Sequence, residues 1–423
     1  MECATLYEQH ILTWVSVSGA ATTVRTTWDP AEEAGEYFTL EKKYATAEGQ
    51  YRSCLVNGGR YWRMFAETQG WARGYAEFLS GGVCAPWICD HAAVEAVIML
   101  RYLEHFFHVL GKATPLIRQL RAEELSSWSE VAIDFVLAGV WGCGTVSLFK
   151  NLREHPGIQF ALPTSTDYAL VNWNILPLKS EVERTNSVFK LGSPSPRVRG
   201  LSNSMMFNNP FSKMILANMK QHVKVIVIAC DPVSRFEKVF FRQHLCKDAA
   251  GVSSEPNQTC HSSIAAALDD RPLLQRYVVG SELQHLRQLF GSRLTVVHQE
   301  SLRHDPQYVY DSIATIVGAG PFPPRMEFIR YNAHMGPRTG LCDNASQVNA
   351  LKEFFLPDYE AFESLVSDAG TPRWMVERLR RTRCDRPEEI HRRAPRCPGN
   401  VTPSHRMCRG RERMQASETA TLE

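Results

Sequence analysis

Between Gly139 and Thr145 the chain reads Gly-Val-Trp-Gly-Cys-Gly-Thr. Glycines at 139, 142 and 144 let a backbone come close to an anion, and Thr145 adds a hydroxyl donor. Such a turn can cradle a phosphate or another tetrahedral oxyanion on backbone N–H groups. The spacing Gly139-x4-Gly144 is also that of a nucleoside triphosphatase loop. There, however, Thr145-Val146 stands where Lys followed by Ser or Thr is required, so a magnesium–nucleotide site is not supported. Cys84-x4-Cys89-x-His91 combines metal-ligating types at a spacing no common zinc site uses. The 12 cysteines include no Cys-x-x-Cys pair, and no metal is expected.

A cradle of this kind needs a buried strand before it and a helix after it. Val131–Val140 is a nearly continuous apolar run, and Val146–Glu154 shows helical spacing, with Leu148 and Leu152 four apart. Ile158–Leu162, Val223–Cys230 and Arg293–Gln299 also read as strands. Helical patterns over Pro210–Gln221, Val233–Leu245, Ser281–Phe290 and Tyr308–Val317 alternate with them. The alternation predicts an α/β fold, a P-loop-like doubly wound parallel sheet flanked by helices. Ligands bind such sheets at the carboxyl ends of strands, where residues 139–145 and 230–235 fall.

Around this core, residues 126–370, the reading places two flanks. Residues 1–125 carry many aromatics, including Trp14, Trp28, Trp62, Trp71 and Trp87, and Asp90 is placed to cap a helix running to Gly111. They are expected to form a mainly helical extension. Residues 371–423 are Arg/Pro-rich without apolar periodicity and are expected to be a disordered tail. Within the core, Lys179–Arg199 reads as basic and turn-rich. Cys246 and Cys260 flank a polar insertion that a disulfide would close.

Length, 423 residues, allows two or three domains at roughly 100–200 residues each. A net charge of +2 gives no whole-molecule field for a specific nucleic-acid partner. Ala92–Leu110 is apolar but holds Glu95, Arg101 and Glu104, so it reads as amphipathic rather than membrane-spanning. Ile11–Val24 is uncharged, yet Glu2 and Glu8 precede it; a signal-peptide core and a truncated start both remain open, and no membrane anchor is seen. Sequons at Asn257, Asn344 and Asn400, beside many cysteines, favour the secretory lumen, with a cytoplasmic site the alternative if the missing anchor is genuine.

Four segments occur in an order that resembles the PAPS-dependent sulfotransferases of the heparan sulfate or carbohydrate type. DFVLAGVWGCGTVSLFKNLREHPGI resembles their strand, phosphosulfate loop and helix. VKVIVIACDPVSRFEKVFF resembles the strand and helix that grip the 3′-phosphate. LTVVHQESLRHDPQYVYDSIATIVG and LKEFFLPDYEAFESLV resemble the late strand–helix and the C-terminal helix. The resemblance covers about residues 131–368.

It implies a sulfuryl transfer from 3′-phosphoadenylyl sulfate (PAPS) to a hydroxyl or amine of a glycan-type acceptor, carried mainly by positioning and charge. It places the donor on Gly139, Gly142, Cys143, Gly144, Thr145 and Val146, with Arg235, Lys238, Arg338 and Thr339 holding the nucleotide. Asp167 matches the position of the general base, against the alternative of a turn or cap residue. The basic segment 179–199 would meet an anionic glycan. Three family charges are replaced: the loop lysine by Gly142, the strand-end arginine by Cys230, and a later lysine by Asn203. Lys238 takes a serine's place, as a restored charge or as a surface lysine; Lys150 and His155 read as a solvated lysine and a packed helix end. Two functions follow, an enzyme of this kind or a catalytically inactive binding or scaffolding protein on the same fold. The oligomeric state is not specified.

Overall fold

The computed structural model describes residues 14–18, 47–69, 76–109, 116–161, 176–190, 197–204, 206–219, 221–246, 260–324, 326–331, 341–368 and 382–385. Residues 1–380 form one compact unit and residues 381–423 a second. In the second unit, Arg383–Asp385 makes a single 3₁₀ turn, and Asp385 accepts from the Thr382 amide at 2.8 Å. The rest of the expected tail lies outside the described residues.

The heart of the first unit is a five-stranded parallel sheet. Its strands are β5 (Phe135–Gly139), β6 (Ile158–Phe160), β7 (Val198–Ser202), β8 (Lys224–Ala229) and β9 (Leu294–His298), in the order β6-β7-β5-β8-β9. Every residue of β5 is buried, as a strand covered by helices on both faces must be. The fold class read from the sequence is the one observed. So are the five helices read inside it, within a few residues at their ends.

Two expectations are corrected. Of residues 179–199, the described parts, 179–190 and 197–199, are not turn-rich, and 191–196 lie outside the described residues. Lys179–Lys190 is a helix, and β7 lies in the middle of the sheet beside β5. Two of its cations are already paired: Lys179 Nζ with Glu124 at 2.7 Å, and Arg199 with Asp134 through two bonds of 2.9 Å. Burial raises the Asp134 carboxyl, but the bonds and charge of Arg199 outweigh it and hold the group below its ordinary value.

Among its described residues, the N-terminal flank is also not mainly helical. β1 (Trp14–Ser18), β2 (Gly59–Gln69), β3 (Ala76–Pro86) and β4 (Ile117–Glu124) form an antiparallel sheet, ordered β1-β3-β2-β4. Trp62, Met64 and Ala66 alternate along β2 and are buried with Val94, Ile98, Met99 and Leu103. Period-two burial defeats the helical reading here. The helical part survives as residues 47–56 and as the stretch from His91 to Val109. Asp90 caps the latter, accepting from the Ala93 amide at 2.8 Å. Cys84, set beside possible metal ligands by sequence, is bonded to Cys54.

Candidate functional site: a braced backbone cradle

β5 ends at Gly139, where φ is +139°. A Cβ there would lie 2.6 Å from Phe207 Cβ and 3.0 Å from Ser204 O, so only glycine fits. Val140 N still donates to Ile228 O at 2.9 Å, and Cys143 N closes a turn on Val140 O at 3.2 Å. Gly142 and Gly144 follow with φ of +87° and +104°. Glycines alternating with ordinary residues let a loop wind into a concavity. Thr145, buried, opens the loop helix Thr145–Arg153.

What holds this loop is a set of side chains from outside it. Three consecutive carbonyls each accept one bond. Trp141 O accepts from Arg235 Nε at 3.0 Å, Gly142 O from Lys238 Nζ at 3.2 Å, and Cys143 O from Gln299 Nε2 at 2.7 Å. Arg235 and Lys238 come from the helix Pro232–Val239 after β8; Gln299 begins the helix after β9. A disulfide joins Cys143 of the loop to Cys230 at the end of β8. Among the described residues, the amides of Gly142, Gly144, Thr145 and Val146 have no hydrogen-bond partner. With the carbonyls taken on one side and the amides open, the loop can offer N–H groups and a helix N-terminus to an anion.

Arg235 is buried, 3% exposed, and its Nη1 donates to Tyr277 O at 3.0 Å. Burial lowers its guanidinium to about 10, against the opposing pull of Tyr277 and Asp358. It is therefore charged at neutral pH and acts as a brace for the loop. Asp231 caps the same helix, accepting from Val233 N at 3.3 Å, Ser234 N at 3.1 Å and the Tyr359 hydroxyl at 2.5 Å. Burial pushes its carboxyl up in spite of these bonds.

The loop helix is fixed from the other side. Ser147 exchanges bonds with both backbone groups of Tyr331 at 3.0 and 3.2 Å. Asn151, one turn on, does the same with Ile329 at 3.0 and 3.0 Å. A helix spacing of four thus matches alternate residues of an extended segment. Lys150, expected in solvent, has its ammonium 4.2 Å from the centre of the Tyr331 ring, a cation–π contact. His155 packs at the helix end, as expected, with its ring 4.5 Å from that of Phe322.

The structure thus brings together Gly139, Gly142, Cys143, Gly144, Thr145, Val146, Arg235 and Lys238. It turns the last two toward the loop's carbonyls. Asp167, Arg338 and Thr339 lie outside the described residues, and Asn203 N donates to Leu137 O at 3.0 Å beside the loop. Sequence reasoning missed Gln299 and the bond between Cys143 and Cys230. The only signal for the latter was a cysteine at each of two adjacent strand ends. Among the described residues, no group of acidic, histidine and cysteine side chains could hold a metal ion.

No protein-family model and no curated protein matches the chain. Among solved structures it is similar to a sulfotransferase from Alicyclobacillus acidocaldarius, at 18% identity and a TM-score of 0.38, over 58% of this chain and 99% of that one. It is also similar to the sulfotransferase domain from the curacin biosynthetic pathway, at 14% identity and a TM-score of 0.28, over 45% and 75% of the two chains. Likenesses of this size carry no activity across.

Proposed function

We propose that this chain binds a sulfonucleotide of the PAPS type on the loop 139–145 and transfers its sulfuryl group to a hydroxyl or amine of a glycan-type acceptor. The observation that supports the reading most is the polarity of the loop. Its carbonyls at 141, 142 and 143 are taken by Arg235, Lys238 and Gln299, while amides at the start of the loop helix remain open. That is a cradle for an oxyanion at the carboxyl end of a central parallel strand. The donor brings the transferable sulfuryl group; this chain's residues would bind and orient it. Asp167 keeps the role of base, Arg338 and Thr339 that of nucleotide contacts, each by family resemblance. The described bonded cysteines, Cys54, Cys84, Cys89, Cys143, Cys230, Cys246, Cys260, Cys342 and Cys384, support an oxidising secretory compartment.

Calorimetry of the full chain with adenosine 3′,5′-bisphosphate tests the reading. Saturable binding is expected; no detectable heat at millimolar ligand would sink it. A second reading, a binding or scaffolding protein without turnover, is favoured by Gly142 in the lysine's place and by the engagement of Arg235. Removing one oxyanion-hole donor typically raises a barrier by about 2.7–4 kcal/mol. Release of adenosine bisphosphate from PAPS that depends on added acceptor separates the two. Tight binding without such release selects the scaffold.

A further inference from the structure

The residues at the end of β8 do not fit a grip on the nucleotide's 3′-phosphate, and this disagreement says what the loop can select. By resemblance, an arginine at position 230 and a hydroxyl at position 238 should meet that phosphate. Position 230 is a cysteine bonded to Cys143 and 4% exposed. At position 238 the lysine ammonium bonds Gly142 O. Arg235, the nearest guanidinium on the same helix, gives Nε to Trp141 O and Nη1 to Tyr277 O inside the core. A guanidinium recognises phosphate by presenting two parallel N–H groups from one edge. Arg235 is 3% exposed and gives one N–H from each of two of its nitrogens to different carbonyls of the protein, so it is placed as a buried brace rather than as a fork open to a ligand.

We infer, resting on the sulfonucleotide reading above, that the site recognises a 5′-phosphosulfate or 5′-phosphate on the cradle and does not read the 3′-phosphate. The substrate class is then a nucleoside 5′-phosphosulfate whatever its 3′ substituent. Arg235, Lys238 and the disulfide serve as positioning groups: they shape the loop that holds the 5′ group. One charge-assisted bond to a 3′-phosphate would already correspond to about a tenfold or greater preference for the bisphosphate.

The test is a pair of calorimetric titrations of the full chain at one ionic strength, with adenosine 3′,5′-bisphosphate and with adenosine 5′-monophosphate. Dissociation constants within about fivefold of each other are expected. A larger preference for the bisphosphate overturns this inference and leaves the sulfonucleotide reading standing. Binding of neither nucleotide overturns the sulfonucleotide reading, and the inference falls with it.

Discussion

A lysine at position 142 would have to adopt a φ of +87°, which L residues take at a cost of roughly 1–2 kcal/mol. Space is not the obstacle, since an added Cβ would lie 3.6 Å from Val239 Cγ2 and 3.7 Å from Arg235 Cγ. The missing charge therefore goes with a backbone shape that disfavours any side chain at this point. Gly142→Ala and Gly142→Lys are both expected to lower unfolding free energy by about 1–2 kcal/mol. Urea denaturation measures it, and an unchanged midpoint with an unchanged slope in both variants would refute the strain. The glycines themselves were legible, because oxyanion loops need them at fixed offsets. The braces were not. Arg235, Lys238 and Gln299 lie 94, 96 and 156 residues from the carbonyls they bond, and no local pattern announces which way a distant side chain turns.

Two neighbouring side chains on the helix Leu356–Asp368 each hold the start of another helix, Tyr359 through that helix's capping carboxylate and Asp358 directly, which gives the C-terminal motif a structural role. Tyr359 bonds Asp231, the cap of the helix carrying Arg235. Asp358 accepts from Val279 N at 2.9 Å and Gly280 N at 2.7 Å, at the start of Gly280–Phe290. Burial raises the Asp358 carboxyl from 3.8 to about 6, although both amides and Arg235 work against the rise. A carboxyl whose folded value exceeds its unfolded value binds more protons in the native state between the two. Its contribution to stability is full below about pH 4 and is lost as pH rises through about 6, a change of roughly 3 kcal/mol. Thermal midpoints of the native chain should carry this fall between pH 4 and 6, and Asp358→Asn should flatten it. Equal slopes in the two proteins would show that another group is responsible. At this scale the strong apolar runs β5 and β8 were legible as strands. β7 was not, because Val198-Arg199-Gly200-Leu201-Ser202 has a charge and a glycine at its centre. Gly200 is required there: a Cβ would lie 2.4 Å from the Phe135 ring. On β2 the alternation of Trp62, Met64 and Ala66 was present in the sequence, but the aromatics around it masked the period.

Over the whole chain, the cross-links divide by the length of chain they close. Cys246 and Cys260, 14 residues apart, close the polar insertion as the sequence led one to expect. Cys143 and Cys230 are 87 residues apart and enclose β6, β7, β8 and the helices between them, both cysteines buried in the main core. In the chain-entropy account, losing the short loop costs about 3 kcal/mol and losing the long one about 4.5 kcal/mol. The larger effect thus belongs to the bond that also fixes the cradle. Replacing Cys143 and Cys230 by alanine should destabilise the protein more than replacing Cys246 and Cys260, measured by urea unfolding of the oxidised proteins. At a temperature where both variants remain folded by circular dichroism, only the first should lose affinity for adenosine 3′,5′-bisphosphate, because only that bond ties the loop between Gly142 and Gly144 to the end of β8. Equal affinity in the two folded variants would mean that Arg235, Lys238 and Gln299 hold the cradle without the covalent link, leaving the disulfide to act on stability alone.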